Sequence, residues 1–331
     1  MRYLGGILIL ILPLVFLHSQ QTSQNTPQLN SQQTNTSTEV VNAKNDVSLE
    51  EKTKETDPMM VRKFINDIVS SRDVTKADRI AKYIYDENKL IKMAAIEGLG
   101  MLRAEKYCDD IINILLKETD RDIKHSSMIS LSYIPSFNTS RLIEYYNKET
   151  DNMLKAQVIR LLASKNEKSL EKEAIKIASS TNYSTEIKIA AVYYLGIIKS
   201  TNSVSLLIDL AKSSDKLLKI ESIKALGEIG DKTCVDVIRI RAGEKDDDIK
   251  IESVLSLAKL GDNSMLESVY DYIDSPNLSY REKVLTAAAI VGDMKTVSFL
   301  EKKLKKVNDQ NLKSFISFTI ERIKSRLSQK K

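Results

Sequence analysis

The chain of 331 residues has no tryptophan, 2 cysteines, 2 histidines, 5 prolines and 10 glycines. Two thiols cannot build a disulfide framework, and with two imidazoles they cannot build a cluster of soft metal ligands, so no bound metal is expected. So few glycines and prolines, with only 6% aromatic residues, leave too few turn-formers and bulky anchors for a many-stranded sandwich or barrel. What is present suits helices: 42% hydrophobic and 29% charged residues give enough apolar surface for a sizeable core.

The apolar run from Leu4 to Leu17 is shorter than the roughly 20 residues a membrane span needs. With Arg2 ahead of it and the small Ser19 behind, residues 1–19 read as a cleaved secretory signal, the alternative being an uncleaved N-terminal membrane anchor. Residues 20–57 contain 22 Gln, Asn, Ser or Thr and no aromatic residue. Such a stretch buries too little apolar area to offset its ordering entropy, so it is expected to be a disordered linker. The expected location is therefore the periplasm or cell envelope.

From Val61 onward an aliphatic residue or Tyr followed by Lys or Arg recurs with little drift: Val61-Arg62, Ile91-Lys92, Ile123-Lys124, Leu154-Lys155, Ile187-Lys188, Leu218-Lys219, Ile249-Lys250, Tyr280-Arg281 and Leu312-Lys313. Each pair opens a helical pattern. Counting its first residue as position 0, positions 0, 4, 8 and 11 fall within about 80° on one face. Leu218, Ser222, Leu226 and Ile229 are one such set. An acid or Asn stands just ahead as a cap or first-turn charge, as at Asp120, Asp151, Glu186, Asp215, Asp246 and Asn277. Gly230-Asp231, Gly261-Asp262 and Gly292-Asp293 end copies, and a second amphipathic stretch lies between copies, as at 204–211 and 235–241. The unit is two helices per repeat, with no strand.

The pattern Asp-x-x-Ile-Lys, then a small residue, then Leu-Gly-x-Ile-Gly-Asp, is best kept at residues 215–231 and 246–262. It resembles the short HEAT repeats of the phycobilin-lyase type. The resemblance covers about residues 58–327; the copy from Leu154 lacks the Gly and the copy from Leu312 lacks the Gly-Asp end. It implies an all-α fold, a right-handed α-solenoid of about eight to nine two-helix repeats of about 31 residues. Residues 328–331 would be a basic tail. Such solenoids usually act as binding scaffolds and only some carry chemistry, so a lyase or chaperone-lyase acting on a bound ligand is the alternative.

The recurring basic residue lies at about 100° on the wheel, bordering the buried stripe. Lys92, Lys124, Lys155, Lys188, Lys219, Lys250 and Arg281 are accordingly expected to form an internal ladder, pairing with acids of neighbouring repeats such as Asp215 with Lys250 or Asp246 with Lys219. The other reading is a basic ridge for anionic partners. Cys108 and Cys234, each on a first-type helix four repeats apart, are expected to be buried thiols too distant to bridge.

No phosphate loop, paired-His motif, calcium loop or Cys-x-x-Cys occurs, and His125 reads as a surface residue. No catalytic residue and no cofactor are expected. Residues 294–331 hold 11 Lys or Arg against 3 acids, so the basic character is C-terminal. Lys302, Lys303, Lys305 and Lys306 could meet an anionic membrane surface, and export argues against nucleic acid.

The expected docking surface is the arc opposite the core. Positions 2 and 6, at about 200° and 240° on the wheel, should face the concave side of a solenoid. In consecutive copies they hold Ile189 and Tyr193, Ile220 and Lys224, then Ile251 and Leu255. An apolar strip rimmed by charge suits an amphipathic helix or extended peptide, so the expected partner is a protein or peptide of the cell envelope.

Overall fold

Capping aspartates and asparagines set the helix starts. In a computed structural model that describes residues 57–329, Asp120 accepts hydrogen bonds from the N–H groups of Asp122 and Ile123, and Asp151 from those of Met153 and Leu154. Residues 1–56, with the signal and all of the linker except Asp57, lie outside the described residues, as do 330 and 331. Asp57, Asn88, Asp215, Asp246, Asn277 and Asp309 cap helices in the same way. Glu186 is a first-turn charge, and Ser184 stands at the cap.

The helices are α1 (Pro58–Ser71), α2 (Ala77–Ala81), α3 (Lys89–Met101), α4 (Cys108–Lys117), α5 (Arg121–Tyr133), α6 (Ser140–Lys148), α7 (Asn152–Ser164) and α8 (Glu171–Ser179). They continue as α9 (Thr185–Ile197), α10 (Val204–Leu210), α11 (Lys216–Ile229), α12 (Val235–Ala242), α13 (Asp247–Lys259), α14 (Leu278–Val291), α15 (Met294–Leu304) and α16 (Gln310–Ser328). A 3-10 helix, Leu266–Asp274, takes the place of a first helix between α13 and α14. No strand occurs among the described residues, and no helix there is long and apolar enough to cross a membrane.

The order is an α-solenoid. The second helices α1, α3, α5, α7, α9, α11, α13, α14 and α16 pack on one another in sequence. Each intervening first helix packs on the second helix that follows it. A second helix inside the stack thus has three helical neighbours, and its buried arc is wider than the one-sided stripe of a surface helix. Residues 251–258 of α13 are all buried.

Small residues let the second helices approach closely. A Cβ on Gly100 would lie 2.4 Å from the Cα of Ser130 on α5, one on Gly196 2.8 Å from the Cα of Ala225, and one on Gly227 2.8 Å from the Cβ of Ser256. Six second helices leave the stack through a left-handed residue, Arg72, Arg103, Asn166, Lys199, Gly230 or Gly261, whereas α5 ends on extended Ile134. The copy from Leu154 that lacks the glycine therefore makes the same turn with Asn166. Gly292 is different: its φ is −57, and a Cβ there would meet the carbonyl oxygen of Ala288 at 2.5 Å.

The basic ladder is partial, and its acids are mostly not the expected ones. Lys92 pairs with Glu118 at 3.7 Å, Lys124 with Glu149 at 2.8 Å and Lys219 with Glu244 at 3.2 Å, each acid standing two residues before the next second helix's cap. The capping aspartates themselves are met three residues earlier on the preceding helix: Lys89 with Asp120 at 2.8 Å, Arg121 with Asp151 at 3.1 Å and Lys216 with Asp246 at 2.8 Å. A cap aspartate lies level with the first turn of its neighbour, so the lysine one turn further in passes it by. Where the residue two before the cap is Asn182, Ser213 or Ser275, the rung has no acid. Lys155 then lies 4.9 Å from the ring centroid of Tyr146, and among the described residues neither Lys188 nor Lys250 is in an ion pair. Arg281 reaches the cap Asp309 at 3.4 Å.

The best-buried rung carries a pH dependence. Burial opposes the charge on Glu149, but hydrogen bonds from Lys124, Tyr145 and the N–H groups of Asp151 and Thr150 outweigh it, holding the carboxyl at about 2 instead of 4.5. Its contribution is complete above the unfolded value near 4.5 and is lost as pH falls toward 2. Between pH 6 and pH 3 the wild type should lose about 2 kcal/mol more than Glu149→Gln, read from urea unfolding at both pH values. Equal losses would mean the rung is not linked to folding.

Candidate functional site: the open face of the second helices

The copy with two aliphatic residues on the expected arc is core. Ile251 is 1% exposed and Leu255 8%, because α11, α12 and α14 close around α13. Ile189, Tyr193, Ile220 and Lys224 are half-buried, and Ile189, Tyr193 and Ile220 pack against the core. A wheel drawn for a helix with one partner places position 2 in solvent; a helix with partners on both flanks buries it.

The arc that stays open is formed by positions 6 and 10. Position 6 is Glu97, Ile129, Arg160, Tyr193 and Lys224 on α3, α5, α7, α9 and α11, and position 10 is Met101, Tyr133, Ser164, Ile197 and Glu228 on the same helices. Met101 is 55% exposed and Tyr133 38%. On this arc, apolar exposure lies in earlier repeats than the sequence pattern suggests, at the last turns of α3 and α5; Leu90, Met153, Leu217 and Leu278 are exposed at the first turns of α3 and of other second helices. Position 10 falls at about 280° on the wheel, and its run Met101, Tyr133, Ile197 was the signal to follow.

Charge on the arc is mostly answered. Glu228 pairs with Lys259 at 2.8 Å, Glu252 with Lys283 at 2.7 Å and Glu221 with Lys224 at 3.8 Å, while Glu97 accepts a 2.6 Å hydrogen bond from the Ser126 hydroxyl. Burial raises the Glu221 carboxyl above its usual value, against the pull of Lys224 and Arg160. Arg160 lies 5.1 Å and Lys224 5.6 Å from the ring centroid of Tyr193, one cation from the preceding helix and one from the following.

Elsewhere, Lys302, Lys305 and Lys306 are exposed on or just after α15, but Lys303 is held by Asp274. Lys324, on α16, is held by Glu301 at 2.7 Å. Cys108 opens α4, and Cys234 ends the 3-10 turn Lys232–Cys234 ahead of α12 instead of lying on the first helix itself. Both are buried, and burial, before any neighbouring charge, pushes their thiols up to about 11. His125 is exposed and bonds Gln157 Oε1 through Nδ1 at 2.9 Å.

A family model described as HEAT repeats matches residues 205–290. Among solved structures, this chain is similar to the complex of CpcE and CpcF of phycocyanin lyase from Nostoc, with 13% identity, a TM-score of 0.50, and coverage of 75% of this chain and 94% of that one. It is also similar to YibA from E. coli, with 16% identity, a TM-score of 0.47, and coverage of 87% and 99%. An engineered protein matches with 15% identity, a TM-score of 0.41, and coverage of 85% and 86%. The comparison with curated proteins found no match. The likeness to the lyase complex is one of HEAT-repeat fold.

Proposed function

We propose that this chain is an exported, non-catalytic HEAT-repeat scaffold that holds a protein or peptide partner of the cell envelope on the open face of its second helices. The observation that carries the reading is the exposed apolar pair Met101 and Tyr133, continued by half-buried Ile129, Tyr193 and Ile197 on stacked helices. Apolar groups repeated along one face of a stack give a partner a row of anchors at the spacing of the repeat. On the first helices the large exposed apolar residues, Ile240 on α12 and Met294 on α15, are not on consecutive repeats. Export is supported by the composition of residues 1–19 and 20–57, read above.

The test uses exposed residues so that folding and binding separate. Met101→Ser with Tyr133→Ser should leave Tm within about 2 °C of the parent, as surface substitutions do. The double variant should lose the envelope protein that co-purifies with the parent from its own cells. Retention of that protein by the variant would place the docking surface elsewhere.

A further inference from the structure

Arg160 is the distinctive group of the open row. It is exposed, and among the described residues it makes no ion pair and no hydrogen bond, whereas Lys224, Lys259 and Lys283 each have an acid within reach. Its guanidinium is stacked near the Tyr193 ring. Stacking holds the planar group in place while leaving its N–H edge free, the arrangement that a carboxylate meets with two parallel hydrogen bonds. Around it lie apolar groups on both sides, Ile129 and Tyr133 on α5 and Tyr193 and Ile197 on α9. A nucleic acid or polyanion would need a run of unanswered cations. On this arc Lys224, Lys259 and Lys283 are each paired with an acid, so one carboxylate between apolar anchors is the better match.

We propose that the occupant of this row is an acidic amphipathic peptide segment of a partner protein, with apolar side chains on Met101, Tyr133 and Ile197 and a carboxylate paired with Arg160. This deepens the scaffold reading and rests on it. Burial of the partner's apolar side supplies most of the attraction, and the Arg160 pair selects for acid and fixes register.

Full-length protein is used to select binders from phage-displayed random dodecapeptides. Selected peptides should carry Asp or Glu beside large apolar residues. Arg160→Glu should weaken them about tenfold or more, the loss of one good ion pair with a repulsion in its place. The same variant should in turn select peptides with Lys or Arg. Peptides that bind Arg160→Glu as well as the parent, yet lose affinity to Met101→Ser with Tyr133→Ser, would overturn the acidic assignment and leave the docking surface standing. Peptides indifferent to both sets of substitutions, or an empty selection, would overturn both.

Discussion

Leu226→Asp should cost roughly 4 kcal/mol or more, because it puts an unpaired carboxylate where no water and no cation can reach it. Leu226 is 0% exposed, on α11 with α9 and α13 on its flanks and α10 behind it. Neutralising the carboxyl instead of leaving it charged would still strand a polar group in an apolar site. Lys224→Ala, two residues away, is the control. That side chain gives up a 3.8 Å ion pair with Glu221 and a contact with the Tyr193 ring, both at half-exposed positions, together worth about 1 kcal/mol. Urea unfolding followed by circular dichroism measures both. Equal midpoints would show that the register of the second helices is wrong.

Gly100→Ala sets two effects of opposite sign against each other. Alanine gains about 1 kcal/mol over glycine in a helix interior. Its Cβ would nevertheless fall 2.4 Å from the Cα and 2.6 Å from the carbonyl oxygen of Ser130, both backbone atoms of α5 that no rotamer change can move. Overpacking of this kind costs up to about 3 kcal/mol or more, so the expected net loss is about 2 kcal/mol. Gly230→Ala meets nothing within 4 Å and pays only for its left-handed φ of 84, about 1 kcal/mol. Calorimetric melting should rank Gly100→Ala as the more destabilising. The reverse ranking would mean that α3 and α5 do not approach as described.

The fold was legible because its determinants are local and repeat. Capping aspartates, the pair at positions 0 and 1 and the small residues that follow recur in nearly every copy, so errors in one copy are corrected by the next. Partners across repeats were less legible. The aspartates ahead of each helix are the most regular acids in the sequence and attracted the ladder assignment. Yet Glu118, Glu149 and Glu244, each two residues earlier, are the acids that Lys92, Lys124 and Lys219 reach.

The open face was misplaced for a geometric reason. A helical wheel treats a helix as having one buried side, and on that basis Ile251 and Leu255 belonged to solvent. Neighbours on both flanks bury them. The exposed residues Met101 and Tyr133 lie at the ends of α3 and α5, beyond positions 2 and 6, and Arg160 lies in a copy outside the three that carry the expected strip. Its value comes from Tyr193 on the next helix, a relation between repeats that no single copy displays.

The central claim, that the partner docks on the second helices, is tested most directly by site-specific photo-cross-linking in the cells that make the protein. A benzophenone side chain is placed at Tyr133 on α5, at Ser164 on α7 and, as a comparison, at exposed Lys172 on the first helix α8. The account predicts one discrete cross-linked partner from Tyr133 and Ser164 and none from Lys172. Cross-links from Lys172 with none from the other two positions would contradict it.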